Sequence, residues 1–268
     1  MKTINKFYSI AVLLVIGAMS AQAVSYGFTA QGKKTDDGYF LWSDAKNFSP
    51  AGAPGSSDAV SLGMGKNNKL QLTDSVAMLS LTARTAAGTV RGADSVTLTL
   101  SNYIFMPADT LLTLESANVV VGNAIRFSGA KAVLTLSGGT RLRAGMRIDA
   151  ANTTISLILK DQAVYEGLAV PSVSAGATLA GGSISLSDDS ALKTGLNAAQ
   201  VDNNYLSKKV VLTLNGNALV KFSPAAENSD RIARCIKEGK ILINGKSSAV
   251  LDSDYTYDAA TGILQVKN

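Results

Sequence analysis

The chain contains no histidine, one cysteine, one tryptophan and five prolines. Without imidazole there are no His-based general bases, no Ser-His-Asp or Cys-His nucleophile systems and no imidazole metal sites. Cys235 stands alone, so no internal disulfide can form and stability has to come from packing. Aromatic residues make up 6 % of the chain and gather toward its ends, as Tyr26, Tyr39, Trp42, Tyr255 and Tyr257. Positive charge is also thin: 25 Lys and Arg stand against 20 Asp and Glu. The basic residues are scattered and lack the interleaved aromatics of a nucleic-acid surface, so nucleic acid is not an expected partner.

Long apolar runs are missing after the first 23 residues, where nothing is long enough to cross a bilayer as a helix. Those first residues have the three parts of a signal peptide. Lys2 and Lys6 form a positive start, Phe7 through Ala18 is uncharged, and Ala21-Gln22-Ala23 supplies a small-x-small cleavage site. Cleavage after Ala23 leaves 245 of the 268 residues and, with two lysines gone, lowers the net charge from +5 to +3. The expected location is extracytoplasmic, in a periplasm, at a cell surface or in the medium.

What remains is repetitive. Leu112-Thr113-Leu114, Leu134-Thr135-Leu136, Leu157-Ile158-Leu159 and Leu212-Thr213-Leu214 are each followed by a polar turn, a second short strand and usually a glycine; Ile184-Ser185-Leu186 is a looser copy. One unit has too few apolar side chains to close a core, but stacked units bury one row of Leu and Val against the next, about 4.8 Å per layer. The expected fold is all-β: a right-handed parallel β-helix of roughly six or seven coils, a rod of about 30 Å. An antiparallel sandwich or jelly roll is the alternative, since its strands also alternate, although it does not require the motif to recur. The divisions are a signal peptide at 1–23, an N-terminal cap at 24–59, repeats at 60–223 and a C-terminal cap at 224–268. In that last segment Ile232, Cys235 and Ile236 recur at helical spacing after Asn228-Ser229-Asp230 and before Gly239, which predicts one short helix. A hairpin around Tyr257 to Gly262 follows it.

Trp42, then Asn47-Phe48, Gly52-Ala53-Pro54-Gly55 and Asp58-Ala59-Val60 resemble the opening segment of many bacterial secreted β-helix proteins, of the autotransporter-passenger-like and surface-repeat kind. Phe48 stands where such segments often have a second Trp. The resemblance implies a fold and an extracytoplasmic setting, and brings no catalytic residues with it.

Several residues are candidates for chemistry. Adjacent carboxylates at Asp188 and Asp189 could serve glycosidic cleavage, although neighbours in an extended chain point to opposite faces and the pair occupies a turn slot of the repeat. Asp252, Asp254 and Asp258 hint at calcium but lack the glycine and distal glutamate of an EF-hand loop, so hairpin solvation is the plainer reading. Asp36 and Asp37 read as solvated loop. Arg141, Arg143 and Arg147 form the one local basic cluster. The alternation of Arg141 and Arg143 with apolar residues puts both on one strand face, where guanidinium forks suit the carboxylates and phosphates of acidic glycans or lipopolysaccharide. Trp42 could offer a sugar platform or pack in a cap. No cofactor is expected. Two functions follow: a secreted or surface-associated β-helix with a structural, adhesive or glycan-binding role and polysaccharide or cell-surface components as partners, or a polysaccharide lyase or glycoside hydrolase on the same fold.

Overall fold

The computed structural model describes residues 23–63, 69–84, 88–93 and 95–267. The expected signal peptide, apart from Ala23, lies outside the described residues. The chain winds into a β-solenoid of about 6 turns, with 47 % of it in strands. Among the described residues the strands form one nine-stranded and one 15-stranded sheet. Successive coils pair in parallel and in register, which rules out the antiparallel sandwich.

The recurrent apolar-x-apolar motif builds the nine-stranded sheet, the first face of the coil. Phe40, Leu70, Val90, Leu114, Leu136, Leu159, Leu186, Leu214 and Ile243 stack as one ladder through it. All nine are buried. Each such side chain contributes about 1.5–3 kcal/mol by leaving water. The residues between them, such as Thr113 and Thr135, pair on the outer surface and tolerate polarity.

The 15-stranded sheet bends to make the other two faces. Strand Asn118–Ser128 pairs through Asn118 to Val121 with Thr97–Leu100, and from Ala124 onward with Tyr103–Pro107. Against Arg141–Ile148 its register shifts between Val120 and Ala124, which marks the bend. The second face therefore carries Asn118 to Val121 and Arg141 to Arg143, and the third carries Ala124 to Ser128 and Gly145 to Ile148.

Turn chemistry sets the corner between first and second faces. Ser116, Gly138, Asp161, Asp188 and Gly216 all adopt left-handed φ between 50° and 62°, a region that Gly, Asp and Asn enter at least cost. The next residue inward is small in each of these five coils: Ala117, Thr140, Ala163, Ser190 and Ala218 are all buried. The hydroxyls are satisfied there, Thr140 donating to the carbonyls of Leu114 and Ser137 and Ser190 to that of Leu159.

The third face ends at Ser172–Val173, and helices take its place. Helix α1, Ala198–Asn204, is started by a capping box in which Asn197 and Gln200 exchange side-chain and backbone bonds. Helix α2, Asn228–Lys237, buries Ile232, Cys235 and Ile236 as the spacing predicts. The two are joined electrostatically: Asp202 of α1, its side chain 3 % exposed, receives Arg231, Arg234 and Lys240. Burial pushes this carboxyl up, but bonds from Lys240, Ser207 and Arg231 outweigh it and hold the group below the ordinary range.

Both ends of the core are closed. At the start, Phe28, Phe40, Trp42 and Phe48 pack edge to face, with the Trp42–Phe48 centroids 5.0 Å apart. At the end, Tyr255–Asp258 and Ile263–Val266 form an antiparallel hairpin that docks on Leu219–Lys221 and covers the growing edge of the sheet.

Candidate ligand-binding faces

On the second face the outward side chains form straight rows because the coils are in register. One row runs Val120, Arg143, Glu166, Lys193, Lys221, and Arg141 lies beside it between Asn118 and Val164. Glu166 accepts from Lys193 at 2.8 Å. That bond lowers its carboxyl from the ordinary value against the opposing effect of burial, with Lys193, Arg141 and Arg143 adding attraction through space. Arg141 and Arg143 are exposed. Neither has a hydrogen-bond or ion-pair partner among the described residues. The two arginines, with Asn118, Val120 and Glu166, line a shallow depression of about 190 Å³. Four cations against one carboxylate make the face positive.

Arg147 is not part of that group. The bend after Val120 turns it onto the third face, where it stacks on Arg126. Both arginines bond Asp149: Nε of Arg126 donates to Oδ2 at 2.5 Å and Nε of Arg147 to Oδ1 at 2.8 Å. Ser174 donates to the same Oδ1 at 2.6 Å. Burial raises the Asp149 carboxyl, but the bonds from Arg126, Ser174 and Arg147 win and hold it below its ordinary value.

The carboxylates singled out from the sequence are engaged in the turns. Asp188 Oδ2 accepts the Asp161 amide at 3.2 Å and the Ser187 hydroxyl at 3.0 Å, while Asp189 accepts from Asn217 at 2.8 Å. Asp161 belongs to the coil before and Asn217 to the coil after, so the two acids brace opposite neighbours. In the C-terminal cap, Asp254 accepts from Lys246 and the Val250 amide. Asp258 holds the hairpin turn through the Ala260 amide and the Thr261 hydroxyl. Asp252 takes left-handed φ of 65° and offers its carbonyl to Lys267. Among the described residues no group of three or more His, Cys, Asp or Glu side chains is placed to hold a metal ion.

No family model, curated protein or solved structure matches this chain. Its chemistry is therefore read from its own surface. Trp42 is 4 % exposed and offers no open ring face. Asp37, expected as solvated loop, pairs with Arg91 at 2.6 Å. The Arg91 guanidinium lies 3.5 Å from the Tyr39 ring centre, and Tyr39 donates to Glu115 at 2.9 Å. No helix among the described residues is long and apolar enough to cross a membrane.

Sequence reasoning missed Glu166, Arg126, Asp149 and Ser174 as parts of these clusters. Glu166 and Ser174 lie one coil away from the arginines they neighbour, and Arg126 one coil from both Arg147 and Asp149, so local spacing cannot reveal them; only Asp149, two residues from Arg147, is a local neighbour. Aligning the repeats on their Leu-x-Leu motifs would have placed Glu166 beside Arg143, because in-register stacking turns equal slots into neighbours, whereas Arg126 reaches Arg147 only through the register shift between Val120 and Ala124.

Proposed function

We propose that the protein is an exported, non-catalytic β-helix protein that binds acidic polysaccharide at a cell surface through its second face. The observation that carries the reading is the pair of exposed guanidiniums, Arg141 and Arg143, with no hydrogen-bond or ion-pair partner among the described residues, on a flat positive sheet face. Forks of this kind match carboxylate, sulfate and phosphate groups bidentately. Repetition of the sheet row suits a repetitive polymer, because many weak contacts add along it. The export half of the proposal rests on the order of charge, apolar run and small residues at the start of the chain. A non-catalytic role is favoured by the way Asp188 and Asp189 are spent on turn bonds to opposite coils.

The test is binding of the purified protein to immobilised polyuronate, sulfated glycan and neutral glucan at about 0.15 M salt, where long-range attraction is screened beyond about 8 Å. Retention on both anionic supports and none on the neutral one is expected. Equal retention on all three, or on none, contradicts the proposal. Release of reducing ends from any support contradicts the non-catalytic part.

A further inference from the structure

We propose that Arg126 and Arg147 form a second, pre-oriented site on the third face for an oxyanion group of an acidic polysaccharide, with Asp149 as the residue that positions them. The inference rests on the reading of the protein as a binder of such polymers, and it adds a site that local sequence spacing does not show.

Arg126 and Arg147 pair in register on adjacent coils, about 4.8 Å apart along the stack. Two like charges so placed repel each other, and Asp149 holds them together. Its side chain is 8 % exposed and grips both arginines by Nε. Ser174 accepts from Arg147 Nη2 at 3.0 Å. The Arg126 guanidinium also lies 4.6 Å from the Tyr103 ring centre and 5.5 Å from that of Phe105, which fixes its plane by cation–π attraction.

All these bonds use the inner edge of the two guanidiniums. Nη1 and Nη2 of Arg126 and Nη1 of Arg147 have no hydrogen-bond partner among the described residues. Two cations against one anion leave a net positive charge with three amino groups unused. The side chains are 29 % and 39 % exposed, so each keeps part of its surface open to solvent. Because the rotamers are already held, binding costs less ordering here than at the unrestrained Arg141 and Arg143.

The deciding experiment follows the arginine Nε–Hε resonances of the whole protein by NMR during titration with trigalacturonate, a sulfated oligosaccharide and maltotriose. Saturable shifts of Arg126 and Arg147 with either anionic probe, and none with maltotriose, are expected; the two anionic arms tell carboxylate from sulfate preference. Arg126→Gln and Arg147→Gln should each weaken that binding about tenfold, the scale of one lost charge-assisted bond. Asp149→Asn should also weaken it several-fold, although it makes the site more positive; tighter binding by Asp149→Asn would refute the positioning role. Shifts confined to Arg141 and Arg143 would overturn this site and leave the second-face reading standing. No arginine shift with any anionic probe would overturn both. The titration of the unmodified protein decides between these outcomes even if a variant unfolds.

Discussion

Gly182 gives the sharpest test of the coil geometry. It lies in strand Leu179–Leu186, in register between Ile155 and Val210, with φ of +139°. In Gly182→Ala, the new Cβ would stand 1.8 Å from the Ile155 carbonyl oxygen and 2.8 Å from its carbonyl carbon and amide nitrogen. Two costs arise. The backbone region is open essentially to glycine alone, at about 1–3 kcal/mol for another residue. The contact is with backbone, so relief requires moving Thr153–Leu159 away from its neighbour, weakening ladder bonds worth about 1 kcal/mol each. The expected loss is about 3–5 kcal/mol. Gly139→Ala is the control: φ is +77° but nothing lies within 4 Å of its Cβ, so the left-handed penalty of about 1–2 kcal/mol stands alone. Guanidinium unfolding followed by circular dichroism measures both. Equal losses for the two variants would refute the proposed close approach of coils at Gly182.

Other perturbations separate the core, the helix junction and the thiol. Leu136→Ala empties a fully buried rung between Leu114 and Leu159 and should cost about 2–5 kcal/mol by denaturant unfolding, against under about 0.5 kcal/mol for Thr135→Ala on the outer surface. Asp202→Asn leaves Arg231, Arg234 and Lys240 without their shared carboxylate and should destabilise by about 3 kcal/mol at pH 7. Because the folded Asp202 carboxyl titrates below its ordinary value, its contribution is present above about pH 4 and is lost as pH falls through the folded value. The gap between wild type and Asp202→Asn should therefore narrow in unfolding curves taken from about pH 5 downward. Cys235 is 1 % exposed, and burial pushes its thiol up to about 11; a thiol reagent at pH 8 should label it only in denaturant.

The fold was legible where the chain repeats itself. The Leu-x-Leu motifs are the inward rungs of the first face, and the period-2 alternation correctly puts Arg141 and Arg143 on one outer surface. Helix α2 was legible too, because Ile232, Cys235 and Ile236 make an apolar stripe. Helix α1 was not: at 7 residues it is too short to show a helical period, and its one sequence sign is the capping pair Asn197 and Gln200. The fate of Arg147 was hidden for a different reason. Strand Arg141–Ile148 looks continuous in sequence, yet a bend opposite Val120 to Ala124 sends its two halves to different faces. Bends of this kind are set by neighbouring coils rather than by local propensity. Asp188 and Asp189 sit in the turn slot that the repeat assigns them, and what the sequence does not show is that they brace opposite neighbouring coils.

Arg141 and Arg143 are the groups through which the second face is proposed to bind anionic polymer. Isothermal titration of polygalacturonate into wild type and into an Arg141→Gln/Arg143→Gln variant of unchanged thermal midpoint tests this role most directly. Binding by the variant should be at least about tenfold weaker, from the loss of two charge-assisted contacts. Equal affinity of the two proteins would contradict it.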